Sequence, residues 1–101
     1  MAHLIWSPRA ARDFYSICEY IARDSKRAAR RFGRRLLKVI ESIRDQPRLG
    51  AVVPEYERDD LRERIVEAYR IVYRVRSDSI EVVTIWHGAR LLPLSPAEST
   101  E

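Results

Sequence analysis

Tyr69-Arg70-Ile71-Val72-Tyr73-Arg74-Val75-Arg76 alternates ring or aliphatic side chains with mostly basic ones over eight residues. In extended backbone successive side chains point to opposite faces, so Tyr69, Ile71, Tyr73 and Val75 share one face and Arg70, Val72, Arg74 and Arg76 the other. A second strand-like run, Ile80 to His87, follows after Ser77-Asp78-Ser79, a spacing that predicts a tight antiparallel hairpin. The expected register sets Arg76 opposite Glu81, Tyr73 opposite Thr84 and Arg70 opposite His87. It pairs opposite charges across the strands and aligns Val75 with Val82 on the core face. One face of this hairpin is therefore core and the other basic.

Upstream, Leu61 to Glu67 reads as a third strand. Leu61 and Ile65 are expected inward and Arg62 and Arg64 outward, although Glu63 and Val66 interrupt the alternation. On that phase Arg62, Arg64, Arg70 and Arg74 converge on one sheet face. The preceding segment, Pro47 to Asp60, has two prolines, a glycine and no sustained period, and reads as one ordered loop able to serve as a contact surface. Before it, Ala10, Phe14, Ile17, Cys18 and Ile21 recur at helical spacing behind a Ser7-Pro8 start signal. Ala28, Ala29, Phe32, Leu36, Val39, Ile40 and Ile43 do the same from Asp24-Ser25 to Gln46-Pro47. Gly33 lies within the second helix, where its missing side chain allows close packing of the first. Leu4-Ile5-Trp6 is a short strand ahead of both helices. The order β-α-α-β-β-β specifies an α+β fold, a helical hairpin packed on one face of a small antiparallel sheet. A single domain covers 1–101, with 91–101 an extended or frayed tail.

Composition fits this picture. Hydrophobic residues make up 46% of 101 and charged residues 34%, a globular balance with a heavily charged surface, and the formal net charge is +4. Arginine binds carboxylates and phosphates bidentately, so acidic protein or nucleic acid are the partner classes that this charge favours. The lone Cys18 excludes an internal disulfide and reads as a small buried residue. No His, Cys, Asp or Glu set has metal-ligand spacing, so no metal and no cofactor is expected. Neither a signal peptide nor a membrane-spanning run is visible, which predicts a cytoplasmic protein with no membrane partner. His3 has no partner in sequence and is assigned no role.

The run Tyr69 to Arg74, the hairpin after it and His87-Gly88-Ala89-Arg90 resemble the carboxy-terminal half of ParE-like toxins of the RelE/ParE superfamily. The resemblance extends through Trp6-Ser7-Pro8, Ile17-Cys18-Glu19-Tyr20-Ile21, Ala28-Ala29-Arg30-Arg31-Phe32 and Pro47-Arg48-Leu49-Gly50, and so covers roughly residues 4 to 93. It implies the toxin of a type II toxin-antitoxin module, assembled with a ParD-like antitoxin whose carboxy-terminal segment is acidic. Two activities occur in the superfamily: gyrase inhibition in the ParE branch and ribosome-dependent messenger cleavage in the RelE branch.

For the RelE reading the resemblance points to Arg62, Arg64, Arg70, His87 and Arg90. RNA cleavage also needs an acid and a base, and the tail after Arg90 contains no Tyr, His or Lys to supply one. The expectation is therefore a ParE-like inhibitor of DNA gyrase without assigned catalytic residues. The alternatives are a RelE-like endoribonuclease and a degenerate toxin that only binds its antitoxin. Arg62, Arg64, Arg70 and Arg74, with Tyr73 and Trp86, form the expected surface for antitoxin or target, and Tyr15 and Tyr20 are further aromatic anchors. Direct nucleic-acid binding is not expected outside the antitoxin complex.

Overall fold

The structure, a computed structural model, describes residues 3–88. The expected tail at 91–101 and Arg90 lie outside them. The chain runs β1 (His3–Trp6), α1 (Pro8–Ala22), α2 (Lys26–Asp45), β2 (Ala51–Val52), β3 (Leu61–Val66), β4 (Tyr69–Val75) and β5 (Ser79–His87). Both helices begin where serine can satisfy a free backbone N–H: Ser7 Oγ accepts from Ala10 N at 3.0 Å and Ser25 Oγ from Ala28 N at 3.0 Å. Pro8 occupies the first turn of α1, and α2 ends at Asp45, two residues before Pro47.

Ser7 has a second task, because its hydroxyl donates to the Val83 carbonyl at 2.8 Å and so ties the start of α1 to β5. Ser7→Ala should therefore cost about 2 kcal/mol, a cap plus a half-buried hydrogen bond, against about 1 kcal/mol for Ser25→Ala, which loses only a cap. Urea denaturation of the two variants measures the difference.

The five strands lie in the order β1-β5-β4-β3-β2. Strand β1 lies parallel to β5 and the other neighbours are antiparallel, so the sheet is mixed. The short β2 forms within the segment read as loop. On the helical side Phe32, Leu36, Ile40 and Ile43 pack with Ala10 against Val66, Ile71, Tyr73, Ile80, Val82 and Ile85. Fully burying one such aliphatic side chain is worth about 1.5–3 kcal/mol, which makes this layer the principal source of stability.

Two details of pairing differ from the sequence expectation. Val66 pairs with Tyr69 across a two-residue turn whose first residue, Glu67, takes a left-handed φ of 54°. That tight turn fixes the phase of β3: Arg62, Arg64 and Val66 share the helical face with Tyr73, Ile71 and Tyr69, while Leu61, Glu63 and Ile65 share the far face with Arg74, Val72 and Arg70. The expected inward Ile65 is instead exposed. In the β4–β5 hairpin Val72 pairs with Thr84 but Tyr73 pairs with Val82, so Val83 is an extra residue in β5. The expected register is thereby corrected: Glu81 faces Arg74, Trp86 faces Arg70 and His87 faces Tyr69. The bulge keeps Ile80, Val82 and Ile85 together on the helical side, which an uninterrupted period of two cannot do.

Candidate functional site

The far face of the sheet is not an open basic surface. Val53 and Tyr56, from the segment between β2 and β3, close over it and form a second small cluster with Leu61, Val72, Val83 and Trp86. Beneath that cover Arg70 is 5% exposed. Its guanidinium donates to both carboxylate oxygens of Glu55, at 2.7 and 2.8 Å, and its Nε donates to Glu63 at 2.7 Å. These hydrogen bonds, with Glu55 foremost, hold the Arg70 cation well above its usual pKa against the opposing effect of burial. Arg74 is buried as well, 3.2 Å from Glu81, which Arg76 also approaches at 3.3 Å. Desolvation is the main influence on Arg74 and lowers its pKa, with neighbouring Arg76 acting in the same direction.

On the other side of the sheet Arg62 is tied to the loop: it donates to the Asp59 carbonyl and carboxylate, at 3.0 and 2.6 Å, and to the Gly50 carbonyl at 3.0 Å. The Asp59 carboxylate also receives Arg48 at 2.6 Å, and that hydrogen bond holds its pKa below the usual value. Arg64, half-buried, sits on this same face. The expected convergence of Arg62, Arg64, Arg70 and Arg74 on one face is therefore corrected to two and two. The reason is the tight Glu67 turn, which inverts the phase assigned to β3.

Tyr73 is also corrected as an interface residue. It is fully buried, donates its hydroxyl hydrogen to Pro47 O at 2.6 Å, and burial raises its pKa. Trp86 is half-buried with Arg9 over its ring at 5.5 Å. His87 is exposed and stands edge-on to Tyr69 at 5.7 Å, on the sheet face opposite Arg70. A cleft of about 560 Å³ runs beside it, between α1 and β5, and includes Asp13, Tyr20 and Trp86. Asp13 is committed there, accepting from Ile85 N at 3.1 Å and from the Thr84 hydroxyl. Thus His87 and Arg70, the acid-base and electrostatic halves of a possible nuclease centre, are on opposite sides of the sheet.

A different surface stands open. Tyr15 and Leu37 are exposed on the outside of the helical hairpin, and with Phe14, Cys18, Ala29 and Gly33 they line an apolar groove of about 540 Å³. Gly33 makes its floor: a Cβ there would lie 3.5 Å from Cys18 Sγ and 3.6 Å from the Phe14 ring. Lys26, Arg30 and Arg34 stand along one side. Burial raises the Cys18 pKa, consistent with a packing role. Of the groove residues, sequence marks Tyr15 as an aromatic anchor, Phe14, Cys18 and Ala29 as helix core and Gly33 as a point of close packing. The signal available in sequence was Leu37, which falls outside the apolar stripe of α2. Tyr20 is exposed too, but beside the His87 cleft. Among the described residues no helix is long and apolar enough to cross a membrane, and no cluster of three His, Cys, Asp or Glu is placed to hold a metal.

A helical hairpin on one face of a five-stranded mixed sheet, with an apolar groove outside the hairpin, defines the class: a small two-layer α+β domain. Residues 4–92 match the family model described as ParE toxin of the type II toxin-antitoxin system parDE. Toxin RelE2 of Caulobacter vibrioides is 35% identical over 92 residues, 90% of this chain and all of that one. Toxin RelE1 of the same organism is 34% identical over 82 residues, 81% of this chain and 88% of that one. A solved chain of the chromosomal ParDE system from P. aeruginosa superposes with a TM-score of 0.72 at 21% identity, covering 86% of this chain and 96% of that one. The chain belongs to the ParE toxin family of type II toxin-antitoxin systems.

Proposed function

We propose that this toxin acts by contact with a protein target, DNA gyrase, and does not cleave RNA. The observation that carries this reading is the state of Arg70. A cation that stabilises a phosphorane must present free N–H donors to the phosphate, and its surroundings must not repel the substrate. Here one guanidinium is shared between two carboxylates, so the cluster carries a formal charge of −1. His87, the one histidine near the expected centre, faces away from it across the sheet. Gyrase as the target rests on the family.

The antitoxin in this reading is ParD-like and lays an amphipathic helix in the groove of Phe14, Tyr15, Cys18, Ala29, Gly33 and Leu37. Acidic side chains on that helix would meet Lys26, Arg30 and Arg34, a helix-in-groove mode of recognition. Toxin and antitoxin then form a hetero-oligomer in the cytoplasm. A second reading is RNA cleavage, favoured by the names of the Caulobacter relatives, with Arg62, Arg64, Arg70, His87 and Arg90 as its residues.

Purified toxin should inhibit gyrase supercoiling at micromolar concentration and leave no cuts in ribosome-bound message by primer extension. Cuts in the message together with unaffected gyrase reverse the assignment. Inactivity in both assays, with unchanged growth on expression without antitoxin, identifies a degenerate toxin whose remaining partner is the antitoxin.

A further inference from the structure

Helix α2 holds eight basic residues and two acidic ones, a net +6, whereas the whole chain carries +4. The other 81 residues therefore sum to −2, and α2 is the source of the molecule's positive charge. Within it Lys26, Arg27, Arg30, Arg31, Arg34 and Lys38 are all exposed, and none has an ion-pair partner among the described residues. Arg35, by contrast, reaches Glu67 at 3.4 Å. At 100° per residue the six unpaired cations form two adjacent rows, Lys26-Arg30-Arg34 and Arg27-Arg31-Lys38, over the solvent-facing half of the helix.

We infer that this outer face of α2 binds the phosphate backbone of duplex DNA without sequence preference. Three features select that partner. The rows extend along a straight helix with about one cation per 5.4 Å turn, suited to a linear array of phosphates. Around the Arg27-Arg31-Lys38 row the face has no exposed large apolar or aromatic anchor, which a protein partner would need and a polyanion does not; Tyr15 and Leu37 lie beside the Lys26-Arg30-Arg34 row, where it borders the groove. The two rows, whose centres lie about 80° apart around the helix, reach phosphates on both walls only where the helix lies along a groove wide enough to admit it. The major groove of B-form DNA, about 12 Å wide, admits one, and the deep, narrow major groove of A-form RNA does not. This runs against the sequence expectation of no direct nucleic-acid contact, and it stands on the charge map alone, whichever target the toxin attacks.

Fluorescence anisotropy of the purified chain with a labelled 20-bp duplex of arbitrary sequence tests it. Binding should be micromolar at 50 mM salt, and the slope of log K against log salt should be about −4 to −5 for five contacted phosphates. Arg27→Glu/Arg31→Glu/Lys38→Glu should weaken binding at least 30-fold. Arg12→Glu/Arg23→Glu/Arg76→Glu, an equal charge change away from α2, should weaken it less than threefold, with circular dichroism verifying that both variants are folded. A-form RNA of the same sequence should bind at least tenfold more weakly. No binding, equal losses in the two triple variants, equal affinity for the RNA, or poly-glutamate displacing the duplex at matched charge would each overturn the assignment, the last in favour of an acidic protein.

Discussion

Arg70→Met is expected to cost about 3–5 kcal/mol of folding stability at pH 7, the penalty of removing one partner from a buried ionic cluster. Only 7% of the Arg70 side chain is exposed, and Glu55 and Glu63 stand at 19% and 13%, so solvent screens the group weakly. Without the cation the like charges of two largely buried carboxylates face each other, and protonating either one relieves the repulsion. The deficit of Arg70→Met should therefore shrink toward acid pH and be full at neutral pH. Adding Glu55→Gln and Glu63→Gln to Arg70→Met should recover most of the loss, since replacing a whole buried ionic group is often close to neutral. Urea denaturation at pH 7 and pH 5 measures each step. A stable, folded Arg70→Met protein that had lost only its toxicity would instead place Arg70 in direct contact with a substrate, and would revive the nuclease reading.

The architecture was open to sequence reading because its signals are local. Ser7-Pro8 and Ser25 start the helices, Pro47 stops the second, and hydrophobic spacing separates helix from strand. What escaped is set by single residues that shift a phase. Glu67 takes a left-handed turn with no glycine or asparagine to announce it, and one turn residue more or fewer exchanges the faces of β3. Val83 is a bulge inside a run of strand-forming residues, where nothing in composition separates an extra residue from a paired one. The site inherited both errors. Alternation along β4 puts Arg70 and Arg74 on one face, as the structure does, whereas alternation along β3 alone puts Arg62 and Arg64 on the face opposite the one they occupy. Sequence also could not show that Glu55, far from β4 along the chain, returns to neutralise Arg70, because that pairing depends on the path of the segment between β2 and β3. Conversely the apolar groove outside the hairpin was hidden among positions that read as ordinary helix core.

That path has an anchor, and disturbing it gives the second large effect: Gly50→Ala should destabilise the protein by about 2–3 kcal/mol. No described glycine has positive φ, so Gly50 is required for space and not for backbone freedom. A Cβ there would come within 2.7 Å of the Glu63 carbonyl oxygen and closer still to the Tyr73 hydroxyl. Neither neighbour yields easily, since one is strand backbone and the other belongs to a fully buried ring bonded to Pro47. Gly50→Ala/Tyr73→Phe removes the hydroxyl but leaves the carbonyl, and should regain only part of the loss. Tyr73 also adds a pH signature: with its folded pKa raised by burial, its contribution is complete below pH 10 and is lost as pH climbs through the folded value. In Tyr73→Phe that alkaline loss should diminish. The same loop carries Val53 and Glu55 over Arg70, so loosening it at Gly50 weakens a cluster that Arg70→Met also breaks. The double variant Gly50→Ala/Arg70→Met should accordingly fall short of the summed single losses by about 1 kcal/mol, as expected for sites sharing one network. Strict additivity in thermal or urea unfolding would show that the loop and the arginine layer are energetically separate.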